Sequence, residues 1–446
     1  MLFHREPHLS RARLDRGTEP PIWNTPAFAA SLVRSGDRVV TSGCGAAPLE
    51  FLAALSARRD LEAVYVSHAT AWGPLPHLAE AARPTHLRFE AYFLPATARS
   101  LHRAGEVDHI PLTFAQMETM YDCGSLLADV VAVTCSPPDE DGICSLGPFV
   151  SYLPAAIRRA RLVIGECSRQ WPRTGDAARV HVSTFDHLIE VSRRPFTSAP
   201  TAANSEAAQI ARHVIELVPD GATIQIGRGA IPNAVARGLA DRRDLGVHSE
   251  MISDWVVDLT EAGVLTGSRK TNYRGRIVTS FMDGTDRLYQ FADGNEALCM
   301  LPIYEVNDPF RVGEERNFIA INSAVEVDLG GQINAESIRG NLISGSGGLL
   351  DFALGAGRSR GGKFIIAMSS TAKGGRLSRI VASIPPGGTV TVPRSLTHYV
   401  ITEHGIADLR GCTLKERARR LIAIADPCYR DELGRAAAGA GTQDAK

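Results

Sequence analysis

The residues best able to do chemistry lie in one short run, Leu245-Gly-Val-His-Ser-Glu-Met-Ile-Ser-Asp-Trp-Val-Val-Asp258. Glu250 offers a carboxylate, a group that can attack a carbonyl or move a proton. His248, two residues earlier, can orient or polarise a neighbour, or simply pack. A lone glutamate in a loop is ordinarily a solvated surface group, so its surroundings decide. About twenty residues upstream stands Gly227-Arg228-Gly229-Ala230-Ile231-Pro232. A strand, a G-x-G turn and a helix let the backbone approach a ligand closely and present unpaired helix amides. The alternative is a plain strand-to-helix turn. Pro232 occupies the place where a dinucleotide fingerprint needs its third glycine, which disfavours an NAD-dependent oxidoreductase. A denser loop, Ser344-Gly345-Ser346-Gly347-Gly348, precedes Leu-Leu-Asp-Phe352. Small residues in series expose amides that line an anion site, or they form a flexible surface turn. Lys373, Arg376 and Arg379 downstream favour the anion. His398 and His404 flank a predicted strand without metal-ligand spacing, and no metal site is predicted.

These residues need elements to carry them. The β-branched run Thr223-Ile-Gln-Ile226 predicts a strand into the Gly227 turn. Val247 reads as the end of another, so that His248, Ser249 and Glu250 fall just beyond it, at the carboxyl end where open α/β sheets bind ligands. The pattern G-x-G-A-x-P occurs twice, at Gly43-Cys-Gly-Ala-Ala-Pro48 and at Gly227–Pro232, an offset of 184. Leu55, Asp60 and Leu61 match Leu239, Asp244 and Leu245 at the same offset. The repeat predicts two related halves. Apolar runs at Val131–Val133, Leu162–Ile164, Phe364–Ala367, Thr389–Val392 and Tyr399–Ile401 read as buried strands. Ile210, Val214 and Leu217 follow helical spacing after a cap at Asn204 or Ser205, and Thr413-Leu-Lys-Glu416 is a capping box. The expected fold is α/β, two related open domains with mainly parallel sheets. The first spans residues 1–195 and the second 206–433, joined by a linker over 196–205 and followed by a flexible tail over 434–446.

Composition removes other classes. The 446 residues carry 44% hydrophobic and 22% charged side chains, as a soluble globular chain does. Forty-eight Lys and Arg against forty-nine Asp and Glu give a formal net charge of −1. No global field draws such a chain to nucleic acid or an anionic membrane, so an anionic ligand must be held locally. The eight cysteines are scattered without a C-x-x-C pair, no apolar run reaches the ~18 residues of a membrane span, and the first residues lack a signal-peptide layout. A cytoplasmic protein is expected.

The run His-Ser-Glu-Met-x-Ser-Asp, with Gly-x-Gly-Ala-Ile-Pro-Asn-Ala-Val ahead of it, resembles the acetyl-CoA hydrolase/transferase family. So do Ile321-Asn-Ser-Ala-Val-Glu-Val-Asp-Leu329, Gly331-Gln-Ile-Asn-Ala-Glu-Ser337, Ser369-Ser-Thr-Ala372, Ser378-Arg-Ile-Val381 and His398-Tyr-Val-Ile-Thr-Glu-His-Gly-Ile-Ala-Asp408. Pro172-Arg173 and Val182-Ser183 are similar less sharply. The resemblance covers nearly the whole chain, most clearly residues 220–433. It implies an active site in the cleft between two CoA-transferase-like domains and an acyl-CoA:carboxylate CoA-transferase whose nucleophile is Glu250. Acyl-glutamyl anhydride and glutamyl-CoA thioester intermediates follow, and CoA enters as substrate rather than bound cofactor. Gly227, Arg228, Gly229, Ala230 and Ile231 would lie along CoA. Gly345, Gly347 and Gly348 would hold its pantetheine or phosphate portion, and Glu336 and Glu403 could line the cleft. Partners would be an acyl-CoA, a carboxylate acceptor and further copies of the chain in a dimer or tetramer.

Two departures bear on the substrate. Trp255 stands where the family usually has glycine; its ring either narrows an acyl pocket or turns into the core. Arg228 replaces an aliphatic residue, and Leu349 a polar one. An acyl-CoA hydrolase, transfer to a non-carboxylate acceptor, and a non-catalytic binding protein are the other readings; Glu250 within intact glycine loops argues against the last.

Overall fold

Two hexapeptides set the architecture. Val130-Val-Ala-Val-Thr-Cys135 and Leu162-Val-Ile-Gly-Glu-Cys167 are buried at every residue. Strands apolar on both faces must be covered on both, which a parallel sheet between helices achieves. The computed structural model describes residues 21–439 apart from 70, 72, 74, 79–84, 200 and 203. They form two compact units, one comprising the chain up to Ser198 with Ser280–Glu305, the other Ala199–Thr279 with the chain from Val306.

The first unit holds an eight-stranded sheet: β1 (Ile22–Asn24), β2 (Arg38–Thr41), β3 (Val64–His68), β4 (Leu87–Ala91), β5 (Val107–His109), β6 (Val130–Cys135), β7 (Leu162–Cys167) and β8 (His187–Glu190). Their spatial order is β1-β8-β7-β6-β2-β3-β4-β5. Every neighbouring pair is parallel. Helix α1 (Leu49–Ala57) packs Phe51, Leu52 and Leu55 onto Val39, Val64, Val66 and Val130, and all seven are fully buried.

In the second unit β9 (Thr223–Ile226), β10 (Gly246–Ile252), β11 (Phe318–Asn322), β12 (Lys363–Ala367), β13 (Tyr399–Thr402) and β14 (Gly405–Asp408) lie in the order β10-β9-β11-β12-β13-β14. All of these pairs are parallel except the hairpin β13-β14. Helices α2 (Ser205–Glu216), α3 (Ala230–Gly238), α4 (Trp255–Glu261), α5 (Leu349–Arg358) and α6 (Leu414–Ala423) connect them. The cap of α2 is Asn204, whose side chain accepts from the Ala207 amide at 2.8 Å.

The mainly parallel, two-part α/β architecture is therefore as the sequence predicts, and so is the repeat. In each sheet the strand before the glycine turn has the next strand of the chain on one side and a later one on the other: β2 lies between β3 and β6, β9 between β10 and β11. Such a switch point leaves a crevice at the strands' carboxyl ends.

Several local expectations differ. Residues 280–305 group with the first unit, so neither unit is one continuous stretch. The reason is backbone pairing: Val150 and Ser151 amides donate to Ser280 O at 3.0 and 3.2 Å, and Ile303 donates to Ser151 O at 3.0 Å. Part of the expected linker is likewise tied down, with Phe196 N donating to Gly45 O and Ser198 N to Gly284 O, both at 2.9 Å. Within Thr389–Val392 only Val392 makes a bridge, to Ile333. Gly388 before the run and Pro393 after it, which lacks an N–H, leave too little to propagate a ladder. Thr413 caps α6 by accepting from Glu416 N at 3.2 Å, but the Glu416 carboxylate turns to Arg419 and Arg420 at 2.7 and 2.9 Å instead of closing the box. The expected tail begins as helix α7 (Arg430–Gly439), with residues 440–446 outside the described range. Among the described residues no helix is long and apolar enough to cross a membrane.

Candidate active site

Strand β10 runs to Ile252, so His248, Ser249 and Glu250 sit on a strand rather than just past one. Its ladder with β9 covers only Thr223↔Gly246 and Ile224↔Val247. Glu250 therefore stands beyond the point where β9 gives way to the Gly227 turn. Alternation puts His248 and Glu250 on one face, and both are met there by Val306-Asn307. His248 Nε2 donates to Val306 O at 2.8 Å, and Asn307 Nδ2 donates to Glu250 Oε2 at 2.9 Å. Donation to a carbonyl places the proton on Nε2 of a neutral ring. Burial, with the Lys270 charge adding, pushes the His248 pKa down to about 3. His248 is thus an anchor for β10.

The Asn307 amide serves two carboxylates, since Nδ2 also lies 3.3 Å from Asp351 Oδ2. Asn307 is 0% exposed and Asp351 3%. Gly348 closes the remaining side: a Cβ there would fall 2.0 Å from Glu250 Oε2 and 2.2 Å from Asn307 Nδ2. Only a glycine lets the backbone come this near. Desolvation pushes the Glu250 pKa up to about 7, opposed by the Asn307 hydrogen bond and reinforced by the Asp351 charge. Near neutral pH the carboxylate is available and poorly solvated, a state that favours nucleophilic attack.

The second glycine loop is fixed, not a flexible turn. Gly345, Gly347 and Gly348 are buried. Ser344 Oγ donates to Ala335 O at 2.9 Å, Ser346 Oγ to Glu336 Oε1 at 3.0 Å and Ile343 N to Glu336 O at 2.7 Å. Gly347 takes φ +54°. Glu336 thus braces the loop that brings Gly348 against Glu250. Glu403 accepts from the Ser370 amide and hydroxyl. Arg379, read from sequence as a cation for an anionic ligand, donates instead to the Val325 and Ala324 carbonyls.

The Gly227 turn leaves β9 at the sheet end where Glu250 stands on β10. Gly227, Gly229, Ala230 and Ile231 are half-buried and Arg228 is exposed. Gly229 has φ +135° and ψ −173°, a region open essentially to glycine alone, and caps α3 with no side-chain bond. The first turn is built otherwise. Gly43 and Gly45 are buried. A Cβ on Gly45 would meet Phe196 O at 2.3 Å. Glu166 Oε2 accepts from the Glu50 and Phe51 amides of α1 at 3.0 and 3.1 Å, while its Oε1 pairs with Arg193 at 2.8 Å. Trp255, the first residue of α4, is 5% exposed, and Leu349 opens α5 at 9%.

Asn307 and Asp351 escape the sequence reading. Asp351 sits three residues past Gly348 in the first turn of a helix, where an acidic residue looks like ordinary support for the helix dipole. Asn307 carries no local signal.

Comparisons place this geometry. The acetyl-CoA hydrolase/transferase N-terminal domain matches residues 23–197 and the C-terminal domain residues 284–437. The 4-hydroxybutyrate coenzyme A transferase of Clostridium kluyveri is 38% identical over 92% of this chain and 95% of its own. The succinyl-CoA:cyclohexane-1-carboxylate CoA transferase of Geobacter metallireducens is 38% identical over 93% and 94%. The crystal structure of RipA from Yersinia pestis superposes with TM-score 0.88 at 35% identity, covering 94% of this chain and 98% of that one. With both domain models matched and relatives aligned from end to end, the chain belongs to the acetyl-CoA hydrolase/transferase family.

Proposed function

We propose that the protein is an acyl-CoA:carboxylate CoA-transferase with Glu250 as its nucleophile. The observation that carries the reading is the enclosure of the Glu250 carboxyl between the Asn307 amide and the Gly348 backbone. Relatives with transferase names at 38% identity over more than nine-tenths of the chain support the reaction class.

A Glu250 oxygen adds to the thioester carbonyl, and collapse of the tetrahedral oxyanion expels CoA thiolate, leaving an acyl-glutamyl anhydride. The thiolate then adds to the glutamyl carbon and the donor acid departs as its carboxylate, giving glutamyl-CoA thioester. An acceptor carboxylate attacks that thioester, thiolate leaves, and thiolate returns to the acceptor's acyl carbon to release the new acyl-CoA and free Glu250. The thioester's energy is conserved. Asn307 Nδ2, already on Oε2, donates to the oxygen that gains charge when thiolate adds to the glutamyl carbon; one such donor contributes ~3 kcal/mol. The Gly227–Ile231 turn and the Gly345–Gly348 loop would bind CoA through backbone amides. The eight cysteines are thiols rather than disulfides, which fits a cytoplasmic enzyme, and the resemblance adds a homodimer or tetramer.

The test is trapping. The protein is incubated with acyl-CoA, quenched with hydroxylamine or borohydride, and the modified peptide is identified by mass spectrometry. Modification at Glu250 is expected; an unmodified Glu250 together with full activity in Glu250→Ala ends the proposal. Candidate acids are then added. New acyl-CoA without free CoA marks a transferase, whereas accumulating CoA marks a hydrolase.

A further inference from the structure

The Asn307 amide raises a question of orientation. Its NH2 and oxygen ends are nearly the same shape and opposite in polarity. Nδ2 faces both Glu250 Oε2 and Asp351 Oδ2, at 2.9 and 3.3 Å. Among the described residues Oδ1, which is buried, has no hydrogen-bond partner, so no group of these residues holds the amide from its other end. The two carboxylates alone decide which end faces the nucleophile. On the reading that Glu250 is acylated, one of these two changes during the reaction. An anhydride or thioester on Glu250 is neutral and a weaker acceptor, and the amide would lose most of its reason to keep Nδ2 forward. Asp351, on the first turn of α5, takes no part in bond making and keeps its acceptor oxygen throughout.

We propose that Asp351 is a positioning residue for the reaction: it holds the Asn307 amide with Nδ2 toward Glu250 while Glu250 is covalently occupied. The same carboxylate adds to the rise of the Glu250 pKa, which gives the proposal an independent readout. The other groups about Glu250 do not compete for that effect. Asn307 is uncharged, His248 on the same strand is neutral, and Lys270 Nζ donates to the Val247 and Arg276 carbonyls at 2.9 and 3.0 Å. Glu336, bracing the glycine loop, is engaged with Ser346.

The experiment uses the full-length chain as Asp351→Asn, Asn307→Ala and the double variant, each checked by thermal melting. Asp351→Asn lowers kcat by about tenfold to a hundredfold, as loss of a supporting carboxylate does elsewhere. KM for acyl-CoA stays near its original value, and the acid limb of kcat/KM moves to lower pH. In the Asn307→Ala background the same change costs less than about twofold, because residues acting through one another are non-additive. Wild-type kcat in Asp351→Asn, an unmoved acid limb, or an equal loss in both backgrounds overturns the proposal. Should Asp351→Asn not fold, Asp351→Glu keeps the charge and shifts the oxygen. A lowered kcat with the acid limb in place is then expected, and unchanged kcat overturns it. Failure of the underlying reading looks different: the wild-type chain would form no hydroxamate at Glu250.

Discussion

The two G-x-G-A-x-P turns share a backbone plan and differ in what fills it. Each follows a parallel strand at a switch point and opens a helix. In the first, the Glu166 carboxyl occupies the helix amides from within, Arg193 pairs with it, and Phe196 lies over the glycine. In the second, the helix cap is a bare glycine, and a Cβ on Gly227 would meet nothing within 4 Å. One turn is filled from within; the other leaves its helix amides uncovered, which is why the proposed CoA contact is assigned to it. A motif match alone does not separate these outcomes, because the deciding carboxylate comes from a strand over a hundred residues away.

The contrast can be broken at several points. Glu250→Gln removes the proposed nucleophile and is expected to lower turnover by at least about a thousandfold, measured as acyl-CoA exchange. Gly348→Ala follows. Its methyl must displace both the Glu250 carboxylate and the buried Asn307 amide, so kcat falls about a hundredfold from misplacement and overpacking costs roughly 1–3 kcal/mol of stability. At the closed turn the signs reverse. Glu166→Gln replaces one acceptor oxygen by a donor, leaving either Arg193 or the two helix amides short of a partner, and costs about 3 kcal/mol of stability in denaturant titrations, with turnover per folded molecule unchanged. Gly229→Ala strains a glycine-only conformation by roughly 1–3 kcal/mol and weakens CoA binding about tenfold in equilibrium titration, whereas equal affinity would remove the turn from the CoA site. A further effect is pH linkage. Glu250 has a folded pKa of about 7 against 4.5 ordinarily, so its ionisation disfavours the folded state progressively above pH 4.5 and fully above about 7. Glu250→Gln therefore melts higher than the wild type at pH 8 and alike at pH 4. kcat/KM of the wild type rises with pH through about 7.

What the sequence made legible follows from range. Strands such as Val130–Cys135 declare themselves because burial on both faces demands a continuous apolar run. The glycine turns declare themselves because Gly229 and Gly347 need backbone angles other residues avoid. Glu250 became legible through its resemblance, not its own environment. Asn307, Asp351 and Glu166 stayed hidden, since a buried polar residue acquires meaning only from the partner that folding brings to it. Arg379 shows the same limit: its hydrogen bonds to the Val325 and Ala324 carbonyls carry no sequence signal.

The carboxyl seated at the first turn has a consequence for stoichiometry. A chain with two copies of a glycine turn invites the expectation of two equivalents of CoA at saturation. With Glu166 seated in one copy, a calorimetric titration should close at a single equivalent per chain. An inhibitor built to mimic the phosphates would meet one receptor on each polypeptide, and its second image would already be occupied from within.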